Sequence, residues 1–287
     1  MVGFINVLKP EGMSSAYAVG AVKKKFNAPC GHMGTLDPMA SGVLPVGIGQ
    51  ATRLFPYMIE KHKEYVAEFT FGVLTDTLDT TGKEEKTTSI IPSKQEIMDA
   101  TASFLGEIDQ IPPKYSAKCV DGKRGYELAR RGVEFTLSPK RVEILEFSLI
   151  EQTGEKSYKF KIVCTGGTYI RSLARDLGYK TNSLAVMSKL ERTKSGIFTT
   201  ENGIKLEDLK SISDIEEIKK YIIPADSVVG YEKLILEREE AQKILDGVFN
   251  DRGYKDGVYR VYNESEFWGI GQAENGILRI KSYVRDL

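Results

Sequence analysis

The sequence predicts an α+β fold: a mixed, mainly antiparallel sheet with a few helices, followed by a small β-rich module at the C-terminal end. Three observations point there. Segments that alternate apolar and polar residues outnumber those with helical spacing, and they mostly follow one another, which favours antiparallel pairing over strand–helix alternation. The helical segments are short and start at a serine or after a glycine turn. Beyond about residue 230, glycines split the chain into short strands.

Each element has a local reason. Residues 3–8 read as a buried strand, stopped by Lys9-Pro10. Ser14 caps a helix reaching Phe26, with Ala18, Val19 and Val22 on its apolar side. Residues 64–71 alternate as a strand, and Ser93 opens a helix through residue 105. A short helix over 126–131 sits between basic loops. Residues 142–150 and 158–164 alternate as strands, and a Thr-Gly-Gly turn leads into a helix over 168–177. A boundary between Pro224 and Gly230 divides the chain into residues 1–228 and 229–287. The second part holds a charged helix over 237–245, then strands at 257–262, 267–271 and 276–280, a pattern that fits a small β-barrel-like module.

Composition narrows the function. The chain has 287 residues, 41% of them hydrophobic, enough for a substantial core and roughly two domains. The formal net charge is zero, which argues against a tail-driven nucleic-acid binder but leaves room for a local basic face. No apolar run approaches the length of a membrane span, and MVGFINVLKPEGMSS lacks the charged head and apolar stretch of a secretory signal. Cys30, Cys119 and Cys164 are odd in number and far apart, and the histidines are His32 and His62. No disulfide framework or metal site is expected from them, and no cofactor; a cytoplasmic location is.

Four stretches carry candidate chemistry. In Gly31-His-Met-Gly-Thr-Leu-Asp-Pro-Met-Ala-Ser-Gly42, glycines and a proline crowd one carboxylate, Asp37. Such a loop holds a side chain in a fixed direction while its backbone approaches a ligand. The competing reading is a turn in which Asp37 caps a following helix through Pro38. In Thr165-Gly-Gly-Thr-Tyr-Ile-Arg-Ser-Leu-Ala-Arg-Asp-Leu-Gly178, Arg171 and Arg175 share a helix face, suited to phosphate or to a buried acid, or else to plain solvation. Lys63-Glu-Tyr65 alone is a strand with an aromatic. Residues 112–141 interleave Lys114, Lys118, Lys123, Arg124, Arg130, Arg131, Lys140 and Arg141 with Tyr115 and Tyr126; this is either an RNA surface or a solvated face.

Taken together, these stretches resemble a family. GHMGTLDPMASGVLPVGIGQATRL is similar to the catalytic motif of the TruB-type pseudouridine synthases, and KPEGMSS to their first motif. KEY resembles their tyrosine motif; GTYIRSLARDLG and KLERTKSGIF resemble the two later ones. IPPKYSAKCVDGKRGYELARRG resembles the RNA-gripping thumb, and FWGIGQ in residues 267–272 anchors a resemblance to a PUA domain. The order of the motifs is the family's order. Asp37-Pro-Met-Ala-Ser-Gly is similar to the bacterial enzymes that modify uridine 55 of tRNA, rather than to the guide-RNA-dependent branch acting on ribosomal RNA.

The resemblance implies a pseudouridine synthase fold and a catalytic set of Asp37, Tyr65 and Arg171, with Arg171 as the partner of the aspartate and Tyr65 stacking on the base. It places His32, Tyr169 and the backbone at Leu190 against the flipped nucleotide, and Lys9 and Pro10 beneath the site. Lys123, Arg124, Arg130, Arg131 and Arg192, with Lys189, are expected to hold RNA phosphates, and Asp76 to lie at the cleft rim. The implied partner is the tRNA T-arm, bound by a monomer with no membrane, guide RNA or obligate protein partner. Three other readings compete. One is a ribosomal RNA enzyme. Another is a catalytically silent RNA-binding protein, which the Asp37, Tyr65 and Arg171 set argues against. The third is a glycoside hydrolase, which needs a second carboxylate across the bond.

Overall fold

A computed structural model describes residues 2–59, 62–116, 119–120, 123–133, 135–249 and 251–284. The backbone divides into two compact units, one built from residues 1–61 and 195–287 and the other from 62–194. In chain order the first unit opens with β1 (Gly3–Lys9), α1 (Ser15–Phe26), β2 (Cys30–His32) and β3 (Ser41–Ile48), then a 3-10 helix over Gly49–Tyr57. The second holds β4 (Lys63–Phe71), β5 (Val73–Thr75), β6 (Glu84–Thr87), α2 (Lys94–Ala102), β7 (Gly106–Gln110), β8 (Cys119–Val120), β9 (Lys123–Arg124) and α3 (Gly125–Arg130). It continues with β10 (Lys140–Gln152), β11 (Ser157–Cys164), α4 (Ile170–Lys180) and β12 (Ala185–Ser195). The chain then returns to the first unit through β13 (Phe198–Thr199), β14 (Ile204–Lys205), α5 (Leu206–Ser211), α6 (Ile215–Lys219) and β15 (Ile222–Ile223). It ends with β16 (Glu232–Leu236), α7 (Arg238–Leu245), β17 (Asp251–Tyr254), β18 (Gly257–Asn263), β19 (Glu266–Glu274) and β20 (Gly276–Tyr283).

In the first unit β1 is the central strand. It pairs antiparallel with β3 from Gly3↔Ile48 to Lys9↔Gly42, and takes the short β14 (parallel) and β15 (antiparallel) on its other edge. Ser14 caps α1 by accepting the Tyr17 amide, and Asn27 ends it in the left-handed conformation. The C-terminal strands form a sheet in the order β16-β18-β19-β20-β17, antiparallel except for β16 on β18. This sheet has its own core around the buried Trp268, Val261 and Leu278. Ile270 and Val284, in contrast, share a core with Phe4, Val43 and Leu54 of the N-terminal segment. So the last sixty residues are folded onto the strands that carry the Asp37 loop.

In the second unit the strand order is β12-β4-β11-β10-β7. β4, β11, β10 and β7 pair antiparallel, with β11 on β4 in register from Ser157↔Thr70 to Cys164↔Lys63. The alternation that predicted strands sorts the two faces. Tyr65, Ala67, Phe69 and Phe160 are buried on one side, while Glu64, Lys159 and Lys161 lie on the other, where Lys161 pairs with Glu146 at 2.9 Å. Ser93 and Glu96 form a reciprocal capping box, so α2 starts where the serine placed it; it stops at Ala102, three residues short of the sequence expectation. The sequence also understated the strands. The segments SGVLPVGI and AVMSKLERTKS are β3 and β12, continuous apolar or mixed runs with no clean alternation to betray them.

Candidate active site

Asp37 sits in the first unit, in the loop between β2 and β3, half-buried. No helix follows it. Its carbonyl accepts the Ala40 amide at 3.0 Å in a tight turn, and the chain passes straight into β3; the helix-cap reading fails because the next apolar run pairs with β1 instead. The loop is held by the KPEGMSS segment. Gly12 donates its amide to the Pro38 carbonyl at 2.8 Å. The Ser15 hydroxyl accepts the Leu36 amide and donates to the Leu36 carbonyl, both at 2.8 Å. Lys9 is 1% exposed and donates to the carbonyls of Pro10, Met13 and Pro38. The Lys9 bonds are charge-assisted and the Ser15 bonds are buried, which are the settings in which a hydrogen bond contributes most. The carboxylate is thereby aimed by two sequence-distant motifs. His32 lies just upstream on β2, paired with Val46 of β3.

The second unit carries Tyr65, Tyr169, Arg171 and Leu190. Arg171, in the first turn of α4, is 6% exposed. Its guanidinium donates to the carbonyls of Thr77 at 2.8 Å and Tyr115 at 3.0 Å, and lies 3.7 Å from the Asp79 carboxylate. Asp79 is itself saturated: one oxygen accepts the Thr77 hydroxyl, the Thr81 amide and the Thr81 hydroxyl. The loop that presents these groups, TDTLDTTG, is tightly wound. Leu78 sits in the left-handed region at φ 63°, unfavourable for a leucine, and a Cβ on Gly82 would come within 2.2 Å of the Thr77 hydroxyl oxygen. Tyr169 is the N-cap of α4 and is gripped by the buried Gln110, which accepts its amide at 2.8 Å and donates to its carbonyl at 3.1 Å. Tyr65 on β4 and Leu190 on β12 are both buried. Arg175, one turn after Arg171, pairs with Asp176 and reaches the Ile111 carbonyl, so it is committed to structure.

The basic stretches are less uniform than the sequence implied. The side chains of Lys123, Arg124 and Arg130 lie outside the described residues; Arg131 is exposed. Arg192 has no exposed surface, because its alternation on β12 turns it inward beside Leu190 while Lys189 and Glu191 turn out. Lys189 is exposed and pairs with Glu68 at 3.5 Å. Asp76 lines an open cleft of about 500 Å³ with Glu85, Lys114, Tyr115, Val133 and Phe135. Among the described residues no helix is long and apolar enough to cross a membrane.

Comparison with known proteins then decides the family. Residues 23–170 match the N-terminal domain of the TruB family pseudouridylate synthases, and residues 171–230 match the tRNA pseudouridylate synthase B C-terminal domain. The chain belongs to the TruB family. It is 42% identical over 281 residues to the tRNA pseudouridine synthase B of Clostridium kluyveri, covering 94% of this chain and 95% of that one. The Clostridium tetani protein of the same name is 39% identical over 283 residues, 95% and 96% of the two chains. Among solved structures, an H/ACA ribonucleoprotein bound to a substrate RNA containing 2′-deoxyuridine has a chain of the same fold, with a TM-score of 0.71 at 24% identity over 99% of this chain and 85% of that one. The pseudouridine synthase fold expected from the motifs is thus the fold of this TruB-family chain.

Reading the motifs missed Asp79, Gln110 and Ser15 as supports. Asp79 had a visible signal: two acids, four threonines and a glycine within TDTLDTTG are the composition of a hydrogen-bonded loop. Gln110 had none, since its importance rests on β7 lying beside the N-cap of α4.

Proposed function

We propose that this chain isomerises uridine 55 in the T-loop of tRNA to pseudouridine, with Asp37 as the catalytic carboxylate. The observation that carries the reading is a half-buried aspartate in a GTLDP loop, pinned at Gly12, Ser15 and Lys9 by the family's first motif. A carboxylate so fixed can attack or take a proton and leave again, as carboxylates do in glycosidic chemistry. The reaction breaks the N1–C1′ bond, turns the uracil, joins C5 to C1′, and moves the C5 proton off as N1 regains one, with no net change in atoms or electrons.

The other roles follow the same reading. Tyr65 stacks on the target base, Tyr169 and Leu190 line it, His32 holds the opened strand, and Arg171 supplies a fixed guanidinium. The base must leave its stack, at a cost of a few kcal/mol. Stacking on an aromatic returns about 1–3 kcal/mol. Phosphate contacts along residues 112–141, including Lys123, Arg124, Arg130 and Arg131, supply the remainder. Residues 1–228 act as the catalytic part and 229–287 as a PUA-like RNA-binding module. The protein works in the cytoplasm as a monomer on the tRNA T-arm, with no cofactor or guide RNA. The test is to incubate it with unmodified tRNA and map pseudouridine by position. Wild type should modify position 55; Asp37→Asn should modify nothing while retaining tRNA affinity. Modification elsewhere, or turnover by the Asn variant, overturns the reading.

A further inference from the structure

Lys63 is a half-buried lysine on the inner face of its sheet. Strand periodicity puts it on the same side as Tyr65, about 6.6 Å along β4, and opposite to Glu64. Across the ladder its register partner is Cys164, a buried thiol pushed up to about 11 by burial and so uncharged at neutral pH. Among the described residues the Lys63 amine has neither a hydrogen-bond acceptor nor a carboxylate partner. The charged groups that face it are Arg192 from β12 and Lys140 from β10, both cations.

Lys140 completes the corner. Its amine reaches over the turn before α4, 3.4 Å from the Gly166 carbonyl, and it has no carboxylate partner among the described residues. It lies directly on Gly167, whose φ is +90° and where a Cβ would come within 1.7 Å of the Lys140 amine. Only glycine lets the amine settle there. The next residues are Thr168 and Tyr169, the N-cap held by Gln110. Lys63 and Lys140 therefore place like charges in a partly dry corner, and neither has a carboxylate partner among the described residues. Such an arrangement is unfavourable in the free protein and is relieved when an anion enters. Consistent with this, burial first, and then Arg192, lower the Lys63 amine to about 8.

We infer that Lys63 and Lys140 form a phosphate site for the RNA strand, taking one backbone phosphodiester next to the nucleotide that Tyr65 and Tyr169 receive. The inference rests on the function proposed above and deepens it. Lys140 is exposed and makes the first contact; Lys63 closes on the same phosphate from the sheet. An RNA phosphate is favoured over a free anion because the site continues the Tyr65 face and opens at an exposed lysine rather than into a closed cavity.

The experiment uses T-arm stem-loops that each carry one neutral methylphosphonate in place of a single phosphate, with wild type, Lys63→Gln, Lys63→Arg and Lys140→Ala. For wild type, one linkage beside the target uridine should weaken binding about tenfold, the size of one charge-assisted contact. Lys63→Gln should bind the unmodified RNA about tenfold more weakly and lose nothing further at that one linkage, while other linkages still cost it what they cost wild type. Lys140→Ala should couple to the same linkage. Lys63→Arg should keep both affinity and turnover, and should abolish the weakening of wild-type binding as pH rises through about 8. Equal penalties at every linkage, or additive losses, overturn the phosphate site. So does a Lys63→Arg variant that binds normally but does not turn over, which would make Lys63 a proton carrier. An unchanged melting temperature for Lys63→Gln excludes misfolding as the cause. Failure of wild type to make pseudouridine would count against the proposed function; additive methylphosphonate losses in an active enzyme would count only against this site.

Discussion

Arg171 and Lys63 belong to the same unit and sit on neighbouring elements, yet their surroundings are opposite. Arg171 is met by two carbonyls and a buried carboxylate that is itself fully bonded. Lys63 is met by a thiol and other cations. The difference lies in what each neighbouring segment can offer. The tight TDTLDTTG loop turns its carbonyls and Asp79 toward α4, whereas the strands around Lys63 have spent their carbonyls on the ladder and put their acids on the other face. A cation whose bonds are complete is an oriented part of the scaffold. A cation left without an anion is available to a ligand.

The most damaging way to break the contrast is to remove the Asp79 carboxylate from beside Arg171. Asp79→Ala should cost about 3–5 kcal/mol of stability, the penalty for leaving one partner of a buried pair uncompensated. Chemical denaturation with an unchanged m-value would read it directly. Wild-type stability for this variant would show that the carbonyls of Thr77 and Tyr115 suffice. Next comes Arg171→Lys, which keeps the charge but cannot reach two carbonyls and a carboxylate in one plane. Pseudouridine formation should fall about a hundredfold, roughly 2.7 kcal/mol of transition-state stabilisation. Near-normal turnover would mean that orientation at Arg171 is unimportant.

The smallest effect sharpens the other half of the comparison. The Lys63 amine is lowered to about 8 in the folded chain from an ordinary 10.5, so the unfolded chain binds the proton more tightly between those values. Unfolding then takes up a proton, and stability should rise with pH across that window, by about 1–2 kcal/mol once the half-exposed side chain is discounted. Below about pH 8 the full penalty is present. Lys63→Gln should flatten this slope and be no less stable than wild type at pH 7. A variant clearly less stable at neutral pH would show that the lysine is a structural bond after all.

The fold class, the two serine-capped helices and the strands with clean alternation were legible because their signals are local: a cap, a period, a glycine. β3 and β12 were not: β3 is buried on both faces and has no alternation to read, and in β12 the inward-facing Arg192 disguises the alternation as a polar run. The candidate site followed the same division. Asp37 stood out through the glycines and proline around it, and Arg171 through its place after a Thr-Gly-Gly turn. Arg192 looked like one more basic side chain for RNA, and the fold turns it inward and leaves it no surface.

By itself the sequence determined the family, through the order of its motifs, and singled out the residues proposed here to carry chemistry, a carboxylate, a tyrosine and an arginine, on a chain with no net charge and a basic stretch at 112–141. Only the tertiary structure decided how those groups are held and which cations are still free to act. Residue type sets the charge a side chain can bear. Whether that charge is matched depends on carbonyls and carboxylates brought in from distant segments, as Thr77, Asp79 and Tyr115 are brought to Arg171 while, among the described residues, none is brought to Lys63. Spacing along the chain cannot report that, because hydrogen bonds and Coulomb forces act across space.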